Sequence, residues 1–144
     1  MFTYWRDPAR TEAAWRNGAF TVGDLGRLDV DGYLYLVGRR SDLIISGGVN
    51  VYPAEVEAVL ARIPQVADAA AFGMPDVHWG QSVWAAVIPR PGVELDGASV
   101  IEYCRAHLAH YKCPRKVVAV AELPRNVTGK VMRRELRARL AGSG

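Results

Sequence analysis

Two apolar runs, VADAAAFGM at 66–74 and SVWAAVIP at 82–89, stand a few polar residues apart. Each is too short for a long helix and nearly free of charge, so both read as buried strands. The break between them, with Pro75, Asp76, His78 and Trp79, reads as a loop. A third run, KVVAVAEL at 116–123, is β-branched enough to make another strand. Helical spacing surrounds these runs. Val56, Val59, Leu60 and Ile63 recur at i, i+3, i+4, i+7 behind Pro53, a residue the first helical turn tolerates. A second helix is expected at about 99–108, with Ser99 and Glu102 at capping-box spacing and Val100, Ile101, Cys104 and Leu108 facing inward. Met132, Leu136 and Leu140 mark a last helix. Upstream, DLGRLDVDGYLYLVGR alternates on both sides of Asp31-Gly32 and reads as a hairpin. The expected fold is α+β: a small three-stranded sheet flanked by helices and preceded by a β-hairpin.

Composition narrows the function. The chain has 144 residues, half of them hydrophobic, and a net charge of +3, enough for one core and too little to argue for nucleic acid. The basic residues Lys130, Arg133, Arg134, Arg137 and Arg139 crowd the last helix, where a solvated face is the simple reading. No apolar run approaches the length of a membrane span, and the start is polar and aromatic rather than secretory, so a cytoplasmic protein is expected. Two cysteines fit a reducing compartment. Cys104, His107, His110 and Cys113 recur every three residues, but such a helical series sweeps around the axis and cannot close on one ion, so no metal site is expected. Cys104 reads as core. No G-x-S-x-G elbow is present, and Asp76 with His78 is not a catalytic pair without geometry.

What remains for chemistry lies in polar, glycine-bearing loops: TVGD at 21–24 with GRRSD at 38–42, SGG at 46–48, and RNVTGK at 125–130. Lys130 follows a glycine at the mouth of a helix, a place that suits an anion. The full P-loop spacing is absent.

In the order GDLGRLDVDGYLYLVGRRSDLIISGGVNVYPAEVE, FGMPDVHWGQSVWAAVIP, LPRNVTGKVMRREL, these segments resemble the C-terminal part of the adenylate-forming superfamily: acyl-CoA synthetases, peptide-synthetase adenylation domains and luciferases. The resemblance runs from about Tyr4 to Leu140. Around Asn50-Val51-Tyr52-Pro53 and His78-Trp79-Gly80-Gln81 it is nearest to the medium-chain, aryl and malonyl-type acyl-CoA ligases. It implies two half-reactions: a carboxylic acid and ATP give an acyl adenylate and pyrophosphate, and CoA then displaces AMP. It implies that Asp24 and Arg39 bind the nucleotide ribose and that Lys130 is the catalytic lysine of adenylation, stabilising charge between the carboxylate and the α-phosphate. Ser46, Gly47 and Gly48 would form the loop that admits the pantetheine arm. Trp79 and Tyr111 would hold the CoA adenine, with Arg115 near a CoA phosphate. Arg40 and Ser41 would be the hinge on which the small domain turns between half-reactions. Mg2+ would accompany ATP in the full enzyme without being bound by this chain.

Two residues depart from the family pattern: Val22 replaces the threonine before Gly23, and Ser41 replaces the usual Asp or Lys of the hinge. The implied organisation is 1–38 as the tail end of an N-terminal adenylation domain and 39–144 as the mobile C-terminal domain. The phosphate loop, acyl pocket and most ATP contacts belong to that larger domain, so the chain is expected to be a fragment or one polypeptide of a split enzyme, inactive alone, with the missing domain as partner. A stand-alone CoA- or partner-binding module, or a peptide-synthetase subdomain serving a carrier protein, are the alternatives.

Overall fold

A computed structural model describes residues 2–142; Met1, Ser143 and Gly144, at the outer ends of the two expected segments, lie outside the described residues. The chain divides into two compact units, one ending at Ser41 and the other starting at Asp42.

In the first unit, helix α1 (Pro8–Ala14) starts with Pro8 behind Asp7, whose carboxylate accepts from the Arg10 amide at 2.9 Å. Strands β1 (Trp15–Arg16) and β2 (Ala19–Phe20) form a minimal hairpin over Asn17-Gly18, both at positive φ. An Asn-Gly pair is the usual chemistry of such a turn, and it is the signal by which this hairpin could have been expected. The expected longer hairpin is present as β3 (Asp24–Leu28) and β4 (Leu34–Arg39), antiparallel, with Asp24 opposite Arg39. Its turn is closed by the Asp29 carboxylate, which accepts from the amides of Asp31 (3.0 Å) and Tyr33 (2.9 Å). The Tyr33 amide is the main reason that this carboxyl sits below its ordinary range.

The second unit holds the core. β5 (Ile44–Ser46) and β6 (Val49–Val51) form a tight hairpin over Gly47-Gly48; α2 (Pro53–Leu60) follows, then β7 (Val66–Asp76), β8 (Gly80–Pro89), α3 (Gly97–His107), a 3-10 turn at His110–Lys112, β9 (Lys116–Ala119) and α4 (Arg133–Ala141). The sheet has five strands, in the order β6-β5-β8-β7, with β9 parallel to β8. The three expected strands are there, the third ending at Ala119 rather than at Leu123, and the 44–51 hairpin adds two that three-residue segments around paired glycines do not announce. Because β7 and β8 are apolar on both faces, the sheet is covered on both. Val66, Ala71, Val83, Ala85 and Val87 pack with Val56, Val59 and Leu60 of α2 and Val100 and Cys104 of α3. Ala70, Phe72, Met74 and Ala86 pack on the opposite side with Leu123 and Leu136 of α4.

Three local expectations change. Pro75 and Asp76 belong to β7 rather than to a loop, and only residues 77–79 turn, because β7 is an edge strand where a missing N–H costs no ladder bond. The cap of α3 is Asp96, not Ser99: its carboxylate accepts from the Ala98 and Ser99 amides and the Ser99 hydroxyl, while Glu102 pairs with Arg105. With the helix starting at Gly97, the amides that a Ser99 cap would take lie inside it. Met132 is exposed at the N-cap of α4, and Leu136 alone of the expected trio is fully buried.

Candidate functional site

The sequence-predicted residues fall into three groups. In the first unit, Asp24 and Arg39 face each other across the β3–β4 ladder, with Arg39 Nε 3.2 Å from Asp24 Oδ1, both partly exposed. Gly23 takes φ +80°, and its amide donates to Thr21 Oγ1 at 3.1 Å. The Arg40 amide donates to the Gly23 carbonyl at 2.8 Å, which ties the end of β4 to the TVGD turn. A carboxylate and a guanidinium held side by side, each with free capacity, can accept from and donate to a vicinal diol. The side chain of Val22 is exposed beside them.

A second group forms on the second unit, around the glycine turn. The Gly47 amide donates to the Trp79 carbonyl at 2.9 Å, and a Cβ on Gly47 would lie 2.7 Å from Trp79 Cε3. Trp79 therefore lies directly against the turn. The Arg115 guanidinium covers its ring at 4.6 Å, and 43% of the residue remains exposed. Asp76 organises this hairpin by accepting from the His78 and Trp79 amides at 2.9 and 3.1 Å. The His78 amide is the first cause of its lowered pKa, joined by the Trp79 amide, Ser82 and the positive charge of Arg115. Arg115 also borders a polar cavity of about 170 Å3 with Arg105, His110, Ile101, Cys113 and Pro114. Tyr111 is half exposed in the 3-10 turn, and its face carries the Lys112 ammonium at 5.8 Å. That ammonium is ion-paired with Glu55, whose hydrogen bond raises the lysine pKa. Ser46 is buried as the strand residue opposite Gly80, so its contribution to a loop surface is its backbone.

The third group surrounds Lys130. Its loop is built by Asn126, whose Oδ1 accepts from the Thr128 amide, the Thr128 hydroxyl and the Lys130 amide. Arg125 closes it from outside, donating to the Gly129 carbonyl at 2.6 Å and to Asp68 of β7 at 2.5 Å. The Lys130 side chain is exposed, and its ammonium has no ion-pair partner among the described residues. Three residues on, Arg133 donates to the Ala71 carbonyl (3.0 Å), Asp42 (3.2 Å) and Glu57 (2.6 Å). Asn126, Arg125 and Arg133 were not distinguished by their sequence. Arg133 read as solvated surface, and only its place one turn before Leu136 hinted at an inward component.

The profile of the AMP-binding enzyme C-terminal domain matches residues 55–130. A 2-succinylbenzoate–CoA ligase of Geobacillus kaustophilus is 51% identical over 134 residues, covering 93% of this chain and 27% of that protein. The long-chain-fatty-acid–CoA ligase FadD13 of Mycobacterium tuberculosis is 45% identical over 134 residues, covering 93% of this chain and 26% of that one. Among solved structures, ATP-bound MatB from Rhodopseudomonas palustris superposes with a TM-score of 0.86 at 40% identity, over 94% of this chain and 27% of its own. The chain thus spans about a quarter of the length of the curated relatives it matches.

Proposed function

The chain belongs to the AMP-binding enzyme C-terminal domain family, and from that membership we propose that it is the lysine- and thiol-side part of an ATP-dependent acid–CoA ligase. The observation that carries the reading is Lys130: an exposed ammonium with no ion-pair partner among the described residues, on a loop whose backbone Asn126 and Arg125 hold in place. A fixed backbone sets where the lysine stem starts, and an ammonium with no partner to give up can turn to the charge that builds on its target.

In adenylation a carboxylate oxygen bonds to the α-phosphorus of ATP as the bond to pyrophosphate breaks, and Lys130 steadies the negative charge shared by carboxylate and phosphate. Asp24 accepts from the ribose hydroxyls while Arg39 donates to the same sugar. In the second step the CoA sulfur bonds to the acyl carbon, AMP leaves with the bonding pair, and the thiol proton passes to solvent. Gly48, with open space where a side chain would stand, leaves room for the pantetheine arm, and the exposed parts of the Trp79 and Tyr111 rings meet the adenine. Arg115, with Arg105 and His110 around the neighbouring cavity, favours a thiol that carries the additional phosphates of a nucleotide over a carrier-bound arm that lacks them. Residues 1–38 are the end of the large adenylation domain and 39–144 the mobile domain, with Arg40 and Ser41 as the hinge; the change of compact unit directly after Ser41 supports the hinge, while Arg39 stays paired with Asp24 in the first unit. Mg2+ belongs with the ATP phosphates on the large domain. Among the described residues no three His, Cys, Asp or Glu side chains are grouped to hold a metal, and no residue of this chain is assigned to it.

The test joins residues 4–140 to the large domain of the Geobacillus ligase in place of the matching stretch. The chimera is expected to make 2-succinylbenzoyl-CoA. Lys130→Ala in it should slow 2-succinylbenzoate-dependent ATP–pyrophosphate exchange by roughly 100-fold or more while a supplied acyl adenylate still passes to CoA. Undiminished exchange without the lysine overturns the reading. The 144-residue chain alone should show no exchange.

A further inference from the structure

The guanidinium of Arg133 makes three hydrogen bonds within the second unit. It reaches three elements at once: Asp42 in the segment ahead of β5, Glu57 on α2 and the Ala71 carbonyl on β7. Its side chain is 17% exposed, against 29% for Asp42 and 24% for Glu57, so these contacts are largely withdrawn from water. Glu57 is itself fixed, because the same Oε1 accepts from the Ala71 amide at 2.9 Å. Arg133 lies three residues past Lys130, at the first position of α4. Asp42 is the first residue of its unit, directly after Ser41. The lysine loop is therefore pinned to the sheet on both sides: by Arg125 to Asp68, and by Arg133 to Ala71. The Arg133 staple continues to the residue where the unit begins.

We propose that Arg133 is a positioning residue for adenylation: it locks the Lys130 loop to Asp42 and Glu57, so that a rotation entering the unit at Asp42 is delivered to the lysine without slack. This rests on the reading of Lys130 given above. Its physical basis is the steep dependence of catalysis on placement, where an error of about 1 Å costs up to about 100-fold. A guanidinium with three acceptors in fixed directions removes that freedom, and a lysine, as a point charge, cannot reproduce all three.

The test reads the two half-reactions separately in the chimera carrying residues 4–140. Arg133→Gln is expected to slow ATP–pyrophosphate exchange by about tenfold or more, through kcat, with KM for ATP and transfer of a supplied acyl adenylate to CoA within about twofold. Arg133→Lys should recover part of the loss. Asp42→Asn removes charge from the first-residue link and leaves the Glu57 and Ala71 bonds in place, so it keeps the fold. It should slow exchange in the same sense, and combining it with Arg133→Gln should cost less than the product of the two effects. Equal loss in both half-reactions, or full exchange in both single variants, overturns the proposal. Lys130→Ala run alongside separates the failures. Exchange that survives without the lysine sinks the reading of Lys130; exchange that needs the lysine but ignores Arg133→Gln and Asp42→Asn sinks this inference alone.

Discussion

Gly47 has two independent reasons to lack a side chain: a φ of +58°, and a Trp79 ring that a Cβ would meet at 2.7 Å. Gly47→Ala should therefore cost about 1–2 kcal/mol for the backbone alone, and it should swing the indole off the turn. Calorimetric titration with CoA would show this as weakened binding, of the same kind as Trp79→Ala. The glycines themselves were legible as a loop, because paired glycines between apolar runs have few other uses. Their contact with a tryptophan more than thirty residues later was not, since no local pattern encodes it. Cys104 was legible as core and is fully buried. Burial, with Cys113 nearby, pushes its thiol up to about 11. Native chain at pH 7.5 should thus alkylate at Cys104 about 100-fold or more slowly than unfolded chain. The sign for stability follows: the unfolded thiol ionises first, so stability falls as pH rises from about 9 towards about 11. A melting series over that range checks it.

Among elements, the caps discriminate between what sequence pattern suggests and what charge selects. Asp96→Ala should cost about 1 kcal/mol in denaturant melts and Ser99→Ala less, the reverse of the capping-box expectation. Pattern placed a cap three residues late because Ser99 and Glu102 have the right spacing, while Asp96 stands before a glycine that pattern treats as loop. The β7–β8 turn has its own acid dependence. Asp76 is held below its ordinary range chiefly by the His78 amide. The stabilisation it gives is complete above the ordinary carboxylate pKa of 3.8 and is lost as pH falls through the lower folded value. Amide resonances of His78 and Trp79 should therefore move together below about pH 4, and that of Gly47, which donates to the Trp79 carbonyl, with them. The strands themselves were legible from their apolar runs. The exact length of the turn depends on the edge position of β7, which is a property of the sheet and not of the segment.

At the scale of the whole molecule the two units differ in substance. Ala14 is the one buried apolar residue among those described up to Ser41, whereas both apolar clusters lie beyond Asp42. A chain starting at Asp42 should consequently keep a cooperative thermal transition within a few degrees of the 144-residue chain, by circular dichroism; loss of the transition would mean that the hairpin unit supports the sheet. That the fold is α+β could be read from alternating helical and apolar runs. That α4 covers the second face could not, because its apolar stripe is thin and its arginines suggested solvent.

The three-way contact of Arg133 also has a consequence in time. Asp42 and Glu57 precede it by 91 and 76 residues. On a ribosome adding roughly 5–20 residues per second, the two carboxylates wait about 5–20 s for their shared cation. During that interval the strands can pair and Glu57 can accept from the Ala71 amide, but neither carboxylate yet has the Arg133 guanidinium. One face of the sheet is covered only when α4 arrives, so Arg133 reaches its acceptors in the same event that delivers Lys130.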